Sequence, residues 1–188
     1  MTEMARHWID GSWLESALVA DSYNPATGDL LGRFADGGDA EARAAVEAAR
    51  GAFEVTDWGH DRRLRSRVLL ELAELFEARA PELALMLTRE NGKTLAQATG
   101  EVGAPAAMLR HNAAQALIEV GTAAEVAPGQ YFTSLAEPVG VVAIVVPWNA
   151  PVALFIRSLG PALAAGNTVA AKLPGQTALT NALMAEVV

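Results

Sequence analysis

Apolar positions near the start of the chain fall in short clusters separated by turn residues. Trp8 and Ile9 precede, and Trp13 and Leu14 follow, an Asp10-Gly11 pair suited to the positive backbone angles of a tight hairpin. Asn24-Pro25 and Thr27-Gly28 supply further turn chemistry within "DSYNPATGDLLGRF" before another short strand. The N-terminus is therefore expected to be β-rich.

From Asp39 the period lengthens. Ala42, Val46, Ala49 and Phe53 recur at helical spacing, with Asp39 placed to cap the first turn. Leu64, Val68, Leu72 and Leu75 make a second apolar stripe opposite Arg63, Arg67, Glu71 and Glu74. Pro81 suits the first turn of a third helix that ends at Asn91-Gly92. Thr94 begins a fourth pattern running to about Val120, loosened by Gly100, Gly103 and Pro105 and closed by Gly121.

Alternating short strands replace helices in "AAEVAPGQYFTSLAEPVG", and beyond it the pattern becomes α/β. "GVVAIVV" shows no polar alternation, as expected of a parallel strand covered on both faces. Residues 151 to 165 read as a helix, with Pro151 near its start, Gly160-Pro161 breaking it and Gly166 closing it. "TVAAK" is the next strand. Thr177 opens a further helix on Leu179, Leu183 and Val187, and the pattern meets the last residue, Val188, without a capping residue, from which a truncated chain is expected.

Composition narrows the function classes. With 52% hydrophobic and 19% charged residues the chain has the balance of a packed domain. A formal net charge of -8 argues against nucleic-acid or anionic-membrane partners, which need clustered Lys and Arg. Pro147, Arg157 and Pro161 interrupt the best apolar stretch, so no membrane span is expected, and "MTEMARHWIDGSW" lacks the layout of a secretory signal, leaving the cytoplasm as the expected location. The chain has no cysteine, so these residues hold neither a thiol nucleophile nor a thiolate metal site. His7, His60 and His111 are too scattered to suggest metal ligands or a base. Glu90, Lys93 and Glu101 sit around a helix boundary, where solvated or capping charges are the ordinary expectation.

In an open parallel sheet, ligands bind beyond the carboxyl ends of the strands, and both "PWNAP" and "KLPGQT" lie at such ends. No G-x-G-x-x-G follows either strand, so the ordinary dinucleotide fingerprint is absent. Two readings of Asn149 stand side by side: a cap for the helix starting at Pro151, or two amide donors for an oxyanion formed when a carbonyl becomes tetrahedral. Trp148 is either a packed hydrophobe or a cofactor wall. Lys172 is either solvated or paired with a ribose hydroxyl or phosphate.

The run "EPVGVVAIVVPWNAPVALFIRSLGPALAAGNTVAAKLPGQTALTN" resembles the NAD(P)-dependent aldehyde dehydrogenase superfamily, with PWN, GPALAAGNT and K-x-P in the family's order and spacing. "WIDGSW", "NPATGDLLGRFADG" and "ENGKTLAQA" extend the likeness over the whole chain. The resemblance implies an α/β fold in which an N-terminal hairpin and helices (1–123) lead through oligomerisation-arm strands (124–140) into the first unit of a Rossmann-like parallel-sheet cofactor domain (141–188). It implies oxidation of an aldehyde to a carboxylic acid with NAD or NADP, through a thiohemiacetal and thioester, in a homo-oligomer. The family's cysteine and glutamate motifs are absent here. On this likeness Asn149 stabilises the oxyanion, Val146, Pro147 and Trp148 lie beside the nicotinamide half, and Lys172 contacts the adenosine ribose. Gly175 stands where the family often has a ribose-gripping glutamate, so a 2'-phosphate is not repelled. Ala150 stands where a large aromatic is frequent, implying a roomier substrate mouth, and Arg157-Ser158 is loosely associated with aromatic aldehydes. Two alternatives remain at this point: a short nucleotide-binding or subunit-interaction module without chemistry, or a CoA-acylating or acyl-phosphate-reducing relative.

Overall fold

The computed structural model describes residues 4–118 and 121–187. The chain folds as a mixed α/β protein in which small sheets flank a bundle of long helices. Strand β1 (Met4–Ala5) runs parallel to β5 (Leu30–Asp36), which pairs antiparallel with β4 (Leu18–Tyr23). Strands β2 (His7–Ile9) and β3 (Ser12–Leu14) form the expected hairpin, with Trp8 opposite Trp13 and their rings 4.9 Å apart. Asp10 (φ 51°) and Gly11 (φ 70°) both take the left-handed angles that a two-residue hairpin turn demands.

Helix α1 (Asp39–Val55) starts one residue earlier than its sequence suggests: Gly38 is the N-cap and Asp39 the first helical residue, paired with Arg43 rather than capping. The cap is Glu41, whose carboxylate accepts the Gly38 N–H at 2.7 Å. Of the anticipated apolar stripe only Ala49 is buried, because α1 packs on β9 over a short length. A short 3₁₀ turn (Asp57–Gly59) leads to α2 (Arg62–Asn91), 30 residues long. Here the expectation of two helices broken at Pro81 is corrected. Pro81 lies inside one helix, on its exposed side, where the carbonyl that loses its amide partner is on the solvent side rather than in the core. The buried Phe76, Leu83 and Ala84 hold the turns on either side of it. Gly92 (φ 78°) ends α2 and donates to the Thr88 carbonyl at 3.1 Å.

Asp61 caps α2, accepting the N–H groups of Arg63 and Leu64 at 2.9 Å each. The Leu64 N–H is the main cause that holds its carboxyl below the usual aspartate range, and the Gly38 N–H does the same for Glu41. Both groups therefore stabilise the fold above the ordinary carboxylate pKa of about 4, and that stability is lost as pH falls through their lowered native values. Asp61→Ala is expected to lower the melting temperature at neutral pH and to have progressively less effect as pH falls below about 4. Thermal melts of both proteins across that range check the convergence.

Helix α3 (Leu95–Ala116) opens on a reciprocal cap, Thr94 with Gln97, and runs through Gly100, Gly103 and Pro105. It stops at Ala116, short of the expected end; Val120 lies outside the described residues, and Gly121 begins a strand instead of closing the helix. Leu69, Phe76, Leu83 and Leu87 of α2 meet Val102, Leu109 and Ala113 of α3 in the core, each large side chain contributing roughly 1.5–3 kcal/mol by burial. Strands β6 (Gly121–Ala127) and β7 (Gln130–Leu135) form an antiparallel hairpin exposed along nearly its whole length.

Strand β8 (Val141–Val145), helix α4 (Pro151–Ala164) and the parallel strand β9 (Thr168–Lys172) form the expected β-α-β unit. Pro161 does not break α4. The chain then makes a 3₁₀ turn (Gly175–Thr177) and helix α5 (Ala178–Ala185). Val145 is 75% exposed, so the expectation of a strand covered on both faces is corrected: α4 and α1 both pack against the β8–β9 pair, yet the carboxyl end of β8 at Val145 is left open among the described residues.

Candidate functional site

Parallel pairing sets Val145 beside Lys172, and the Val146 N–H donates to the Lys172 carbonyl at 3.1 Å. The two strand ends thus deliver residues 146–149 and 172–175 side by side. Val146 is buried, whereas Pro147, Trp148 and Asn149 stand exposed beyond the sheet edge.

The α2–α3 junction holds this loop from below. Asn91 donates its side-chain amide to the Trp148 carbonyl at 2.7 Å, and Lys93 Nζ donates to the Asn149 carbonyl at 3.0 Å. Lys93 is ion-paired with Glu101 Oε2, and the other carboxylate oxygen of Glu101 accepts the N–H groups of Val152 (3.0 Å) and Ala153 (3.4 Å). This accounts for every unpaired donor at the start of α4. Pro151 has none, Val152 and Ala153 use Glu101, and Leu154 bonds the Ala150 carbonyl at 3.0 Å. The capping reading of Asn149 is therefore corrected. Ala150 is the N-cap, the cap acceptor comes from α3, and among the described residues the Asn149 side-chain amide makes no hydrogen bond.

Glu90 performs the matching task for α5. Although charged and 5% exposed, it accepts the Leu179 N–H (2.9 Å), the Thr180 N–H (2.7 Å), the Thr180 hydroxyl (2.7 Å) and the Ser22 hydroxyl (2.7 Å). The reading of Glu90, Lys93 and Glu101 as solvated charges is thus overturned for all three; the capping part of it stands for Glu90 and Glu101, which cap remote helices, while Lys93 holds the Asn149 carbonyl. Periodicity carried a signal for Glu90, which extends the buried Leu83, Leu87 stripe by three residues. Chemically, both helix N-termini that follow the parallel strands are already neutralised by internal carboxylates. They offer no vacant anion receptor of the kind found at many phosphate-binding helices.

Lys172 and Gly175 are placed differently from Asn149. With Leu173 and Pro174 they line an open, mainly apolar groove that runs over β8, β9 and α1, and Pro147, Trp148 and Asn149 do not line it. Gly175 lies against the Phe34 ring so closely that a Cβ there would sit 3.1 Å and 3.2 Å from two ring carbons. The structure thus brings Lys172 and Gly175 together and sets Asn149 on the neighbouring rim. His7, His60 and His111 form no cluster, and among the described residues no group of three His, Asp or Glu is arranged to hold a metal.

Residues 13–188 match the aldehyde dehydrogenase family. The chain belongs to that family. Among its relatives, a phenylacetaldehyde dehydrogenase of Pseudomonas fluorescens is 39% identical over 95% of this chain and 38% of its own length. A succinate-semialdehyde dehydrogenase [NADP(+)] of Schizosaccharomyces pombe is 38% identical over 87% of this chain and 34% of its own length. The crystal structure of an NAD-dependent aldehyde dehydrogenase from Sinorhizobium meliloti superposes with a TM-score of 0.92 at 32% identity, covering 100% of this chain and 38% of that one. The chain therefore spans little more than a third of the family members it matches. The Schizosaccharomyces pombe relative is named for NADP(+) and the Sinorhizobium meliloti enzyme for NAD. No helix among the described residues is long and apolar enough to cross a membrane.

Proposed function

We propose that residues 1–188 supply the oxyanion donor and the first part of the cofactor site of an enzyme that oxidises an aldehyde to a carboxylic acid with NAD or NADP. The observation that carries this reading is the uncommitted amide of Asn149 on a loop braced from beneath by Asn91 and Lys93. A cysteine and a glutamate from outside these residues attack the aldehyde and activate the hydrolytic water. Asn149 donates to the oxygen as it takes on charge, and its loop is held before reaction so that little reorganisation is needed then. NAD(P) supplies the hydride acceptor. Trp148 and Pro147 wall the nicotinamide side, buried Val146 fixes the loop to β9, and Lys172 and Gly175 meet the adenosine ribose.

Residues 1–123 form the N-terminal part of the cofactor domain and 141–188 the first Rossmann-like unit. The 124–140 segment, which carries most of the β6–β7 hairpin, is the oligomerisation arm of a homo-oligomer, a role supported by the exposure of Tyr131 (75%) and Phe132 (53%). The test is an in-frame fusion of residues 1–188 to the part of the Pseudomonas fluorescens relative that follows its matched region. Aldehyde-dependent NAD(P)H production by the fusion, and none by residues 1–188 alone, is the expected result. Turnover by the 188 residues after repurification overturns the division of labour.

Gly175→Glu in the fusion is expected to lower kcat/KM for NADP relative to NAD by about tenfold, because the new carboxylate repels a 2'-phosphate. Phe34 must yield a few tenths of an ångström to admit it, so Phe34→Leu serves as the packing control. An unchanged cofactor ratio removes Gly175 from the ribose site.

A further inference from the structure

Lys93 and Glu101 have side-chain exposures of 14% and 8%, whereas the surface pair Arg43–Asp39 has 72% and 80%. Drying two charges to this degree is costly and does not by itself stabilise a fold. The α2–α3 interface does not need the pair, since the apolar core already fills it. Apart from each other, the named contacts of the two charged groups fall on residues 149 to 153: the Asn149 carbonyl, the Val152 N–H and the Ala153 N–H.

Asn149 lies three residues before Val152, the spacing at which an asparagine side chain caps a helix. Without Glu101 as acceptor for the Val152 N–H, Asn149 is the side chain spaced to take it, and its amide would turn away from the sheet rim. We infer that Lys93 and Glu101 are positioning residues for Asn149: Glu101 caps α4 in its stead, and Lys93 pins its carbonyl. The consequence for catalysis rests on the oxyanion reading above. The geometric claim does not.

The first test uses amide hydrogen exchange and side-chain NMR on the 188-residue chain. Glu101→Ala is expected to speed exchange at Val152 and Ala153 and to shift the Asn149 side-chain amide resonances, leaving the middle of α3 as protected as before. Lys93→Met is expected to move the Ala150 amide resonance, which reports on the Asn149 carbonyl, and Lys93→Arg to restore it. Unchanged exchange at Val152 and Ala153, an unmoved Asn149 amide, or loosening spread evenly over α3 and α4 overturns the proposal. Should Glu101→Ala fail to fold, Glu101→Gln, which retains one acceptor oxygen, and Lys93→Met carry the same comparison at Asn149.

The second test is kinetic, in the fusion. Glu101→Ala is expected to lower kcat about 10–100-fold with little change in the aldehyde KM, a loss typical of a misplaced reacting group. Added to Asn149→Ala it should cost nothing more, because both act through one amide. Additive losses overturn the positioning role. If Asn149→Ala alone leaves kcat intact, the oxyanion reading falls, and the exchange measurements still decide what Lys93 and Glu101 do.

Discussion

Asn149→Ala is expected to lower kcat of the fused enzyme by about 10²–10³-fold at saturating aldehyde and cofactor, with the aldehyde KM changed far less. The split follows from where the amide acts. In the proposed role it faces an oxygen that is nearly neutral in the bound aldehyde and negative once the carbonyl is tetrahedral, so its removal would raise the transition state more than the ground state. Asn149→Asp is expected to be at least as damaging, since a carboxylate repels the developing charge while preserving side-chain size. Steady-state rates with the three proteins at equal oligomeric state decide the matter, and a loss of less than tenfold for the alanine variant would take Asn149 out of the reaction.

The largest stability effect is expected at Glu90. Glu90→Ala leaves the Ser22 hydroxyl, the Thr180 hydroxyl and the N–H groups of Leu179 and Thr180 without their acceptor, in a place water does not readily reach. Buried donors stripped of a partner cost about 1–3 kcal/mol each, and partial relaxation brings the expected total to roughly 3–5 kcal/mol. Against a typical domain stability of about 5–15 kcal/mol this is a large fraction. Glu90→Gln keeps one carbonyl oxygen as acceptor and should fall between the two. Urea unfolding of the 188-residue chain measures the loss, and a change below 1 kcal/mol for the alanine variant would mean that the four bonds are replaceable. The tie matters to the site because Glu90 joins β4, α2 and α5, and so fixes the start of the helix that follows Lys172 and Gly175.

Features governed by neighbours in sequence were legible in the residues. The Asp10-Gly11 turn, the Thr94 cap and the β8-α4-β9 order each depend on local backbone preference or on a short hydrophobic period, and each stands in the fold. Pro81 misled because a proline that is allowed in a first turn is also tolerated on the wet side of a long helix whose buried side is strongly packed. Val145 misled for another reason. An apolar strand residue announces that it wants cover without saying which chain segment provides it.

The polar side of the site was the least legible. Glu90 and Glu101 look alike in sequence, two acidic residues near a helix boundary, and only the fold shows that each reaches a different remote helix, 89 and 51 residues away along the chain. Sequence alone determined the β8-α4-β9 order and the type of side chain offered at the strand ends, because those follow from local spacing and residue chemistry, and its motifs carried the resemblance to the family. Tertiary structure decided that Asn149 is free of capping duty. That outcome turns on a carboxylate brought from α3 to the α4 N-terminus, and long-range acceptors of this kind leave no periodic trace in the segment they serve.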